Sequence, residues 1–275
     1  MAGKGREVVR QPVVANRFYP GGEDTLREEV TGYLSFPRGS DRAVGAVMPH
    51  AGYLYSGSVA GQTAASIPIP RNVIILGPNH TGMGPAVSIF PSGSWKMPFG
   101  EVPVNTYLAE KLFERCELAM PDEMAHLREH SIEVQLPFLY YAGDRDLCIL
   151  PITLSMLGKE ECRLLGKAIG DVISGQEEDI LMIASSDMTH YESQESAKAK
   201  DSEAIARVLD LDPDGLLDIV RARGISMCGV IPTAVMLYAS LSLGAAEAKL
   251  IRYSTSGEVS GDYDQVVGYA GIVVY

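Results

Sequence analysis

Short apolar runs alternate along this chain with longer segments in which apolar residues recur every three or four positions. The short runs are rich in β-branched residues and nearly continuous in apolar character, which predicts strands buried on both faces of a sheet. The longer segments have the period of amphipathic helices. The predicted strands cover residues 43–48, 72–76, 86–90, 147–152, 179–184, 248–253 and 266–275. The predicted helices cover residues 24–35, 57–66, 104–115, 131–141, 159–173, 195–209 and 231–243.

This order of elements predicts an α/β fold with helices on both faces of a central, mostly parallel sheet. No internal repeat or linker divides the sequence, so we expect one domain over residues 1–275. Asp24 and Ser131 are predicted N-caps, and Pro232 suits the first turn of its helix. Residues 91–105, PSGSWKMPFGEVPVN, are rich in Pro and Gly and predict a long loop that forms a rim or lid.

The acidic composition narrows the possible ligands. The formal net charge is −12, and no cluster of Lys and Arg is present, which argues against nucleic acid and favours a small-molecule or peptide ligand. Residues 224–246 carry no charge, but Gly, Ser, Cys, Pro and Thr fill their first half, so we expect a loop and a buried helix and no membrane span. The first residues do not resemble a secretion signal, and we expect a cytoplasmic protein.

Three of the five histidines directly follow predicted strands: His50, His80 and His190. Ligands of open α/β sheets bind in the crevice outside the carboxyl ends of the strands, so these imidazoles are expected at one edge. Each histidine alone could equally be a hydrogen-bonded turn residue, since histidine is commonly half-buried. Small or turn-forming neighbours beside all three would let a ligand approach the backbone closely.

Cys228 differs from the other cysteines, which lie in apolar patterns and are predicted to be buried thiols. It stands between glycines just before a helix, where the helix dipole is expected to lower the pKa of the thiol. A thiolate beside histidines would suit zinc, iron or copper, whereas alone it would be a small apolar residue under a loop. Asp187, three residues before His190, could fix that imidazole's tautomer, ligate a metal or cap a turn.

The pentapeptide HLREH, residues 126–130, matches the H-x-x-E-H pattern of a family of zinc peptidases. That chemistry needs one helix running through His126 and His130 so that both imidazoles share a face. Ser131 instead favours a helix that begins after His130, in which case His126 is expected to be a surface residue of an acidic loop. The peptidase hypothesis also leaves the strand-end histidines unexplained.

Seven ordered blocks, from residue 10 to the end of the chain, resemble the Memo family, whose microbial members are also called AmmeMemoRadiSam system protein B. The blocks are RQPVVANRFYPGG, MPHAGYLYSGSVA, ILGPNHTG, EHSIEVQLPFL, SSDMTHY, MCGVIPTAVML and SGDYDQVVGYAGI. The resemblance implies a three-layer α/β/α sandwich with one mixed sheet, similar to the class III extradiol dioxygenases. Asn16 replaces the glycine usual in the first block, and asparagine is the residue that next best tolerates a left-handed turn.

The resemblance also implies a metal site of two histidines and one cysteine, which match His50, His80 and Cys228. The expected cofactor is one transition metal ion, with iron first and copper or zinc as alternatives. A thiolate in place of the dioxygenases' carboxylate changes the metal preference, so dioxygenase activity does not follow from the fold. The implied chemistry is metal-dependent redox or oxygen chemistry on a small or peptide-borne substrate.

Four further residues complete the predicted pocket. Asp187 and His190 are assigned as acid–base groups beside the metal or as groups that support its ligands, and Tyr55 and His130 as residues that line the cleft. The alternative function is a non-catalytic module that binds a peptide or protein in the same cleft. By resemblance, the expected partners include an AMMECR1-like protein and a radical-SAM protein.

Overall fold

The computed structural model describes residues 8–275. Residues 1–7 lie outside the described residues. They are the start of the predicted domain and of the segment that was compared with a secretion signal. The strands are β1 (Val9–Arg10), β2 (Gly45–Met48), β3 (Asn72–Pro78), β4 (Val87–Ile89), β5 (Ser94–Met97), β6 (Gly100–Pro103), β7 (Met120–Pro121), β8 (Cys148–Leu154), β9 (Ile180–Ser185), β10 (His190–Glu192), β11 (Ala248–Thr255) and β12 (Val266–Val274). The helices are α1 (Glu23–Tyr33), α2 (Tyr53–Ala65), α3 (Thr106–Arg115), α4 (Leu136–Ala142), α5 (Lys159–Ser174), α6 (Gln194–Leu209), α7 (Pro213–Arg223), α8 (Val230–Ser242) and α9 (Gly257–Ser260), with a 3-10 turn at Glu133–Gln135.

Nine strands form one mixed sheet in the order β10-β12-β2-β9-β3-β8-β4-β7, and β11 pairs with β12. The four central strands, β2, β9, β3 and β8, run parallel to one another. Antiparallel pairs lie on either side, between β8 and β4 and between β2 and β12. Parallel neighbours end at the same edge of a sheet, so the loops that follow β2, β9 and β3 lie side by side.

Two apolar cores cover the two faces of this sheet. Alternate side chains of β3 enter different cores: Val73 and Ile75 pack on one face, and Ile74 and Leu76 on the other. Buried residues of α1, α2 and α4 complete the first core, and those of α3, α5, α6, α7 and α8 complete the second. The predicted three-layer α/β/α sandwich with a mixed sheet is therefore confirmed.

The seven predicted strands and seven predicted helices all occur, with shifted ends. Gly22 is the N-cap of α1, and Asp24 lies within the first turn, so the predicted cap is wrong. The Ser131 hydroxyl donates to the carbonyl oxygen of Pro78 (3.0 Å) and caps no helix. Its segment begins as a 3-10 turn at Glu133 and becomes α-helical only at Leu136.

Residues 91–105 are not the predicted loop. They form an antiparallel hairpin of β5 and β6, and β1 adds to it as a parallel strand. Trp95, Met97 and Val102 are buried in the core beneath the hairpin. Buried and more exposed positions alternate along β5 and β6, as expected for strands. The Pro and Gly residues around them led to the prediction of a loop. The short strands β7 and β10 and the helices α7 and α9 were also absent from the prediction.

Residues 224–246 form a loop and the buried helix α8, as predicted. Among the described residues, no helix combines the length and apolar character needed to cross a bilayer.

Candidate metal centre

The loops after three adjacent parallel strands bring the predicted residues together. His50 follows β2, His80 follows β3, and Asp187 follows β9, which lies between them in the sheet. Cys228 arrives from another part of the fold, in the turn before α8. Gly229 allows this approach, because a Cβ there would lie 2.3 Å from the Ser185 carbonyl oxygen.

His50, His80 and Cys228 form a compact group of donors. The three potential ligand atoms all lie within 4.8 Å of one another. The Cys228 Sγ atom is 3.3 Å from His50 Nε2, and the centroids of the two imidazole rings are 5.3 Å apart. His50 is buried, Cys228 is half-buried, and His80 is partly exposed, so the group opens to the surface on the His80 side.

The hydrogen bonds of Ser185 fix the tautomer of His50. The single hydroxyl proton of Ser185 goes to the carbonyl oxygen of Ser131 (2.6 Å), and the side-chain amide of Gln135 donates to the same hydroxyl (2.7 Å). His50 Nδ1 lies 2.9 Å from the Ser185 oxygen and must therefore be the donor. The proton sits on Nδ1, and the lone pair of Nε2 faces Cys228.

Glu129 fixes the tautomer of His80 in the same sense. Its buried carboxylate lies 2.9 Å from His80 Nδ1 and accepts from the backbone N–H of His80 (2.6 Å). It also accepts from the backbone N–H groups of His130 and Ser131 (2.8 and 2.9 Å). A carboxylate so placed only accepts, so His80 Nδ1 carries the proton and Nε2 remains free to bind a metal.

Burial and hydrogen bonding act in opposite directions on the Glu129–His80 pair. Burial is the largest single effect and disfavours the charged form of each residue, but their mutual hydrogen bond and the attraction of nearby opposite charges together outweigh it. The pKa of His80 is raised, and the pKa of Glu129 is lowered to about 2. His50 Nδ1 contacts the neutral Ser185 hydroxyl. Burial is the main reason that the pKa of His50 lies well below 6.5, and the nearby charges of His130 and His80 lower it further.

His130 stacks on His80, with ring centroids 4.9 Å apart, and it also makes an edge-type contact with the ring of Phe18. Its pKa is lowered, mainly by burial. His80, Glu129 and His130 also lie close enough to be a second group of potential donors. Because four N–H groups already occupy the Glu129 carboxylate, the group containing Cys228 suits a metal better. Tyr55, in the first turn of α2, is exposed at the surface.

Asp187 contacts the histidine from the neighbouring strand and not the one three residues later. Its carboxylate accepts from the backbone N–H of His50 (2.8 Å), and its own N–H donates to Cys228 Sγ (3.3 Å). Burial raises the pKa of Asp187. His190 Nδ1 instead donates to the Ser226 carbonyl oxygen (3.0 Å), which leaves its Nε2 free. Two predicted roles of Asp187 are therefore wrong: it does not fix the His190 tautomer, and it does not cap the turn that follows it in the chain, whose N–H groups at Thr189 and His190 donate to Asp201 and Ser226.

The expected low pKa of Cys228 is also wrong for the metal-free protein. Burial raises the pKa of this thiol, and the nearby Asp187 carboxylate raises it further. The dipole at the N-terminus of α8 would lower the pKa, but its partial charge stabilises a thiolate by less than burial and Asp187 destabilise it. Because the proton of His50 is on Nδ1, the thiol can donate to His50 Nε2 (3.3 Å) as well as to the Asp187 carbonyl oxygen (3.6 Å). Cys116, Cys148 and Cys162 are buried, as predicted.

HLREH does not form the peptidase arrangement. No helix runs through residues 126–130, and His126 is fully buried, so its predicted place on the surface is wrong. The ring packs between Phe90 and Trp95, and its nitrogens contact the Ser88 carbonyl oxygen (3.2 Å) and the Thr153 hydroxyl (3.1 Å). Burial lowers its pKa to about 3. The polar neighbours of His126 suggested exposure, but the loop folds over β4 and turns this side chain inward.

Comparison with known proteins places the chain in a family. Residues 10–273 match the Memo family, described as Memo-like protein. The chain belongs to the Memo family. A MEMO1 family protein of Methanopyrus kandleri is 42% identical over 96% of this chain and 98% of its own length. A MEMO1 family protein of Methanosarcina acetivorans is 44% identical over 97% of this chain and 99% of its own length. One of Aquifex aeolicus is 40% identical over 96% of this chain and 98% of its own length. The sandwich described above agrees with the architecture that the Memo resemblance implied.

Sequence patterns missed the groups that hold the predicted ligands. Glu129 contacts His80, Ser185 contacts His50, and Gln135 donates to Ser185. None of the three was assigned to the site. The spacing of H-x-x-E-H drew attention to Glu129, but as a partner of the wrong histidine. Its actual partner, His80, lies 49 positions away in the chain, so no local pattern could reveal it.

Proposed function

We propose that this Memo-family protein binds one transition metal ion through His50 Nε2, His80 Nε2 and Cys228 Sγ and uses it in redox or oxygen chemistry. The observation that carries the proposal is the pair of fixed tautomers: Ser185 and Glu129 take the two Nδ1 atoms, which leaves Nε2 of each imidazole free in the group that contains the thiol. Ligand atoms around a tetrahedral ion lie roughly 3.5 Å apart, given metal–nitrogen and metal–sulfur bonds of about 2.0 and 2.3 Å. The observed separations, from 3.3 Å to at most 4.8 Å, fit such a group with small contractions.

Iron is the proposed metal, with copper or zinc as alternatives, because a mixed nitrogen and sulfur donor set suits all three. When bound, such an ion would supply electron transfer or Lewis-acid activation of a substrate. Its positive charge would also favour the thiolate of Cys228 and release the thiol proton. His50 Nε2 would exchange its contact with that proton for the metal.

Asp187 and His190 are proposed as acid–base groups beside the metal. Asp187 is buried against the His50 loop and Cys228, where its carboxylate could exchange a proton without bulk water. His190 is half-buried and presents a free Nε2 near the same opening, since Ser226 holds its Nδ1. His130 and Tyr55 would line the path of a small or peptide-borne substrate, His130 through its stacked position and Tyr55 through its exposure at α2.

Metal analysis of protein purified without oxygen tests the proposal. We expect close to one equivalent of a transition metal in the wild type and almost none in a His50→Ala, Cys228→Ala double variant. The matched control is His126→Gln, Cys116→Ala, which also removes one histidine and one cysteine, but from the core. Equal metal content in the first variant and the wild type would overturn the assignment.

One observation favours a second function, that of a non-catalytic module that binds a peptide or protein in the same cleft. His80 and Tyr55 are exposed at the surface and His130 stacks on His80, so a peptide or protein could contact these rings directly. The two functions differ in their dependence on the ion. Substrate turnover that rises in proportion to bound iron or copper supports the enzyme, and peptide affinity that is unchanged by chelation supports the module.

The partners and location belong to the same proposal. An AMMECR1-like protein and a radical-SAM protein are the proposed partners, by resemblance alone. Co-purification of either with the tagged protein from its own cells would support this, and recovery of neither would count against it. We place the protein in the cytoplasm because its four cysteines are free thiols, which is typical of a reducing compartment.

A further inference from the structure

Arg10 is a fully buried arginine that reaches the loop before the metal centre. Its guanidinium donates from Nε to the His126 carbonyl oxygen (2.8 Å) and from one terminal nitrogen to the Glu129 carbonyl oxygen. The two contacts hold both ends of the segment 126–129. The carboxylate of Glu129, at the end of this segment, is the group that fixes the tautomer of His80.

Arg10 is itself held rigidly. Its other terminal nitrogen pairs with Glu133 (2.7 Å), and neither side chain is exposed. The guanidinium lies 4.0 Å from the centroid of the Trp95 ring, on the neighbouring strand β5. Glu133 is in turn held by the backbone N–H groups of Val13 and Val14 and by the Tyr19 hydroxyl (2.6 Å). An arginine fork with fixed partners on several sides loses little freedom when it binds two carbonyl oxygens.

We propose that Arg10 is a positioning residue for the metal centre: it holds the 126–129 loop so that Glu129 keeps the proton of His80 on Nδ1. Its action runs from the guanidinium to the loop backbone, from there to the Glu129 carboxylate, and finally to the imidazole. Only the metal-binding consequence rests on the proposed function. The tautomer of His80 is a property of the metal-free protein.

The tautomer is measured by the nitrogen chemical shifts of the His80 imidazole in metal-free protein, at a pH where the ring is neutral. Arg10→Lys keeps the charge next to Glu133 but cannot reach both carbonyl oxygens with a fork. We expect His80 to change from one tautomer to a mixture of two. The matched control is Tyr19→Phe, which removes a different hydrogen bond to Glu133 and leaves the contacts of Arg10 to the loop intact.

If Arg10→Lys does not fold, the double variant Arg10→Gln, Glu133→Gln takes its place. It removes both charges of the buried pair, so no charge is left unpaired. The expectation is the same mixture of tautomers. A single unchanged tautomer of His80 in the folded variant, or the same change in Tyr19→Phe, would overturn the inference.

Metal affinity is measured separately by titration with Co(II), whose absorption bands report a bound thiolate. We expect Arg10→Lys to weaken Co(II) binding by about tenfold, the size found when the support of a metal-binding histidine is lost. In a Glu129→Ala background the same change should have little effect, because the path through Glu129 is already broken. Additive losses in the two variants would contradict that path. Absence of Co(II) binding in the wild type would reject the proposed function, while the nitrogen shifts would still test Arg10.

Discussion

His50 Nε2 and Cys228 Sγ lie 3.3 Å apart, although the two residues are 178 positions apart in the chain. The histidine follows a central strand, and the cysteine precedes a helix that packs on the second face of the sheet. Their contact depends on the strand order, on the close approach at Gly229 and on the Nδ1 tautomer that Ser185 imposes. A donor pair assembled in this way needs little rearrangement to accept an ion.

Ser185→Ala should weaken metal binding without removing a ligand. The variant takes away the acceptor for the His50 Nδ1 proton, so that proton can move to Nε2 and block the donor. We expect about a tenfold loss of metal affinity, as for other partners of metal-binding histidines. Metal titration followed by calorimetry measures it.

Ser88→Ala is the matched control for Ser185→Ala. Ser88 is equally buried, but its hydroxyl donates to Asp122. If the two variants lose equal metal affinity, the effect comes from general destabilisation and not from the tautomer of His50.

Gly229→Ala should displace Cys228. The new methyl group would lie 2.3 Å from the Ser185 carbonyl oxygen and 2.4 Å from Ser186 Cβ, so the turn must move. We expect a loss of about 1–3 kcal/mol in the free energy of unfolding, typical of an overpacked interior, together with weaker metal binding. Chemical denaturation and metal titration of the same sample measure both.

Gly32→Ala is the control for Gly229→Ala, and we expect it to stabilise the protein. Gly32 lies in α1, and a Cβ there meets nothing within 4 Å. We expect a gain of about 0.5–1 kcal/mol in stability and no change in metal binding. A stable, metal-binding Gly229→Ala protein would show that the close approach does not position Cys228.

His126 should make the protein sensitive to acid. Its folded pKa is about 3, below the ordinary 6.5, so the fold favours the neutral ring. The resulting stability is complete above pH 6.5 and is lost as the pH falls toward 3, because the unfolded chain takes up the proton first. The slope reaches at most about 1.4 kcal/mol per pH unit for one group.

The comparison is with His126→Gln, which has a neutral side chain throughout this range. Denaturation at a series of pH values should give a steeper loss of stability below pH 6.5 in the wild type than in the variant. Parallel curves would show that His126 is not the group responsible.

Seven of the nine strands of the sheet were predictable because their sequences are short and nearly continuously apolar, as in NVIIL and DILMIA, whereas the short edge strands β7 and β10 were not. The hairpin of residues 94–103 was not, since its turn-forming residues hid an alternation that only burial against the first core explains. The cap assigned to Ser131 failed for a similar reason. Its hydroxyl is taken by Pro78, a residue from a distant strand.

Some residues of the candidate site could likewise be predicted from the sequence, and others could not. His50 and His80 could be proposed as ligands because a strand and the residue after it are local features. Cys228 could be proposed from its position just before a helix together with the family resemblance, and the structure brings all three residues together. Glu129 and Ser185 could not be found, because their importance lies in contacts between separate elements. The prediction of a low pKa for Cys228 was wrong because the pKa depends on how deeply the turn is buried, which the local sequence does not show.

We propose that His50, His80 and Cys228 together bind one ion. Anomalous diffraction from crystals of protein loaded with iron in the absence of oxygen tests it most directly. We expect a single strong peak within bonding distance of His50 Nε2, His80 Nε2 and Cys228 Sγ. A peak bound elsewhere, or none near these three atoms at full iron loading, would contradict it.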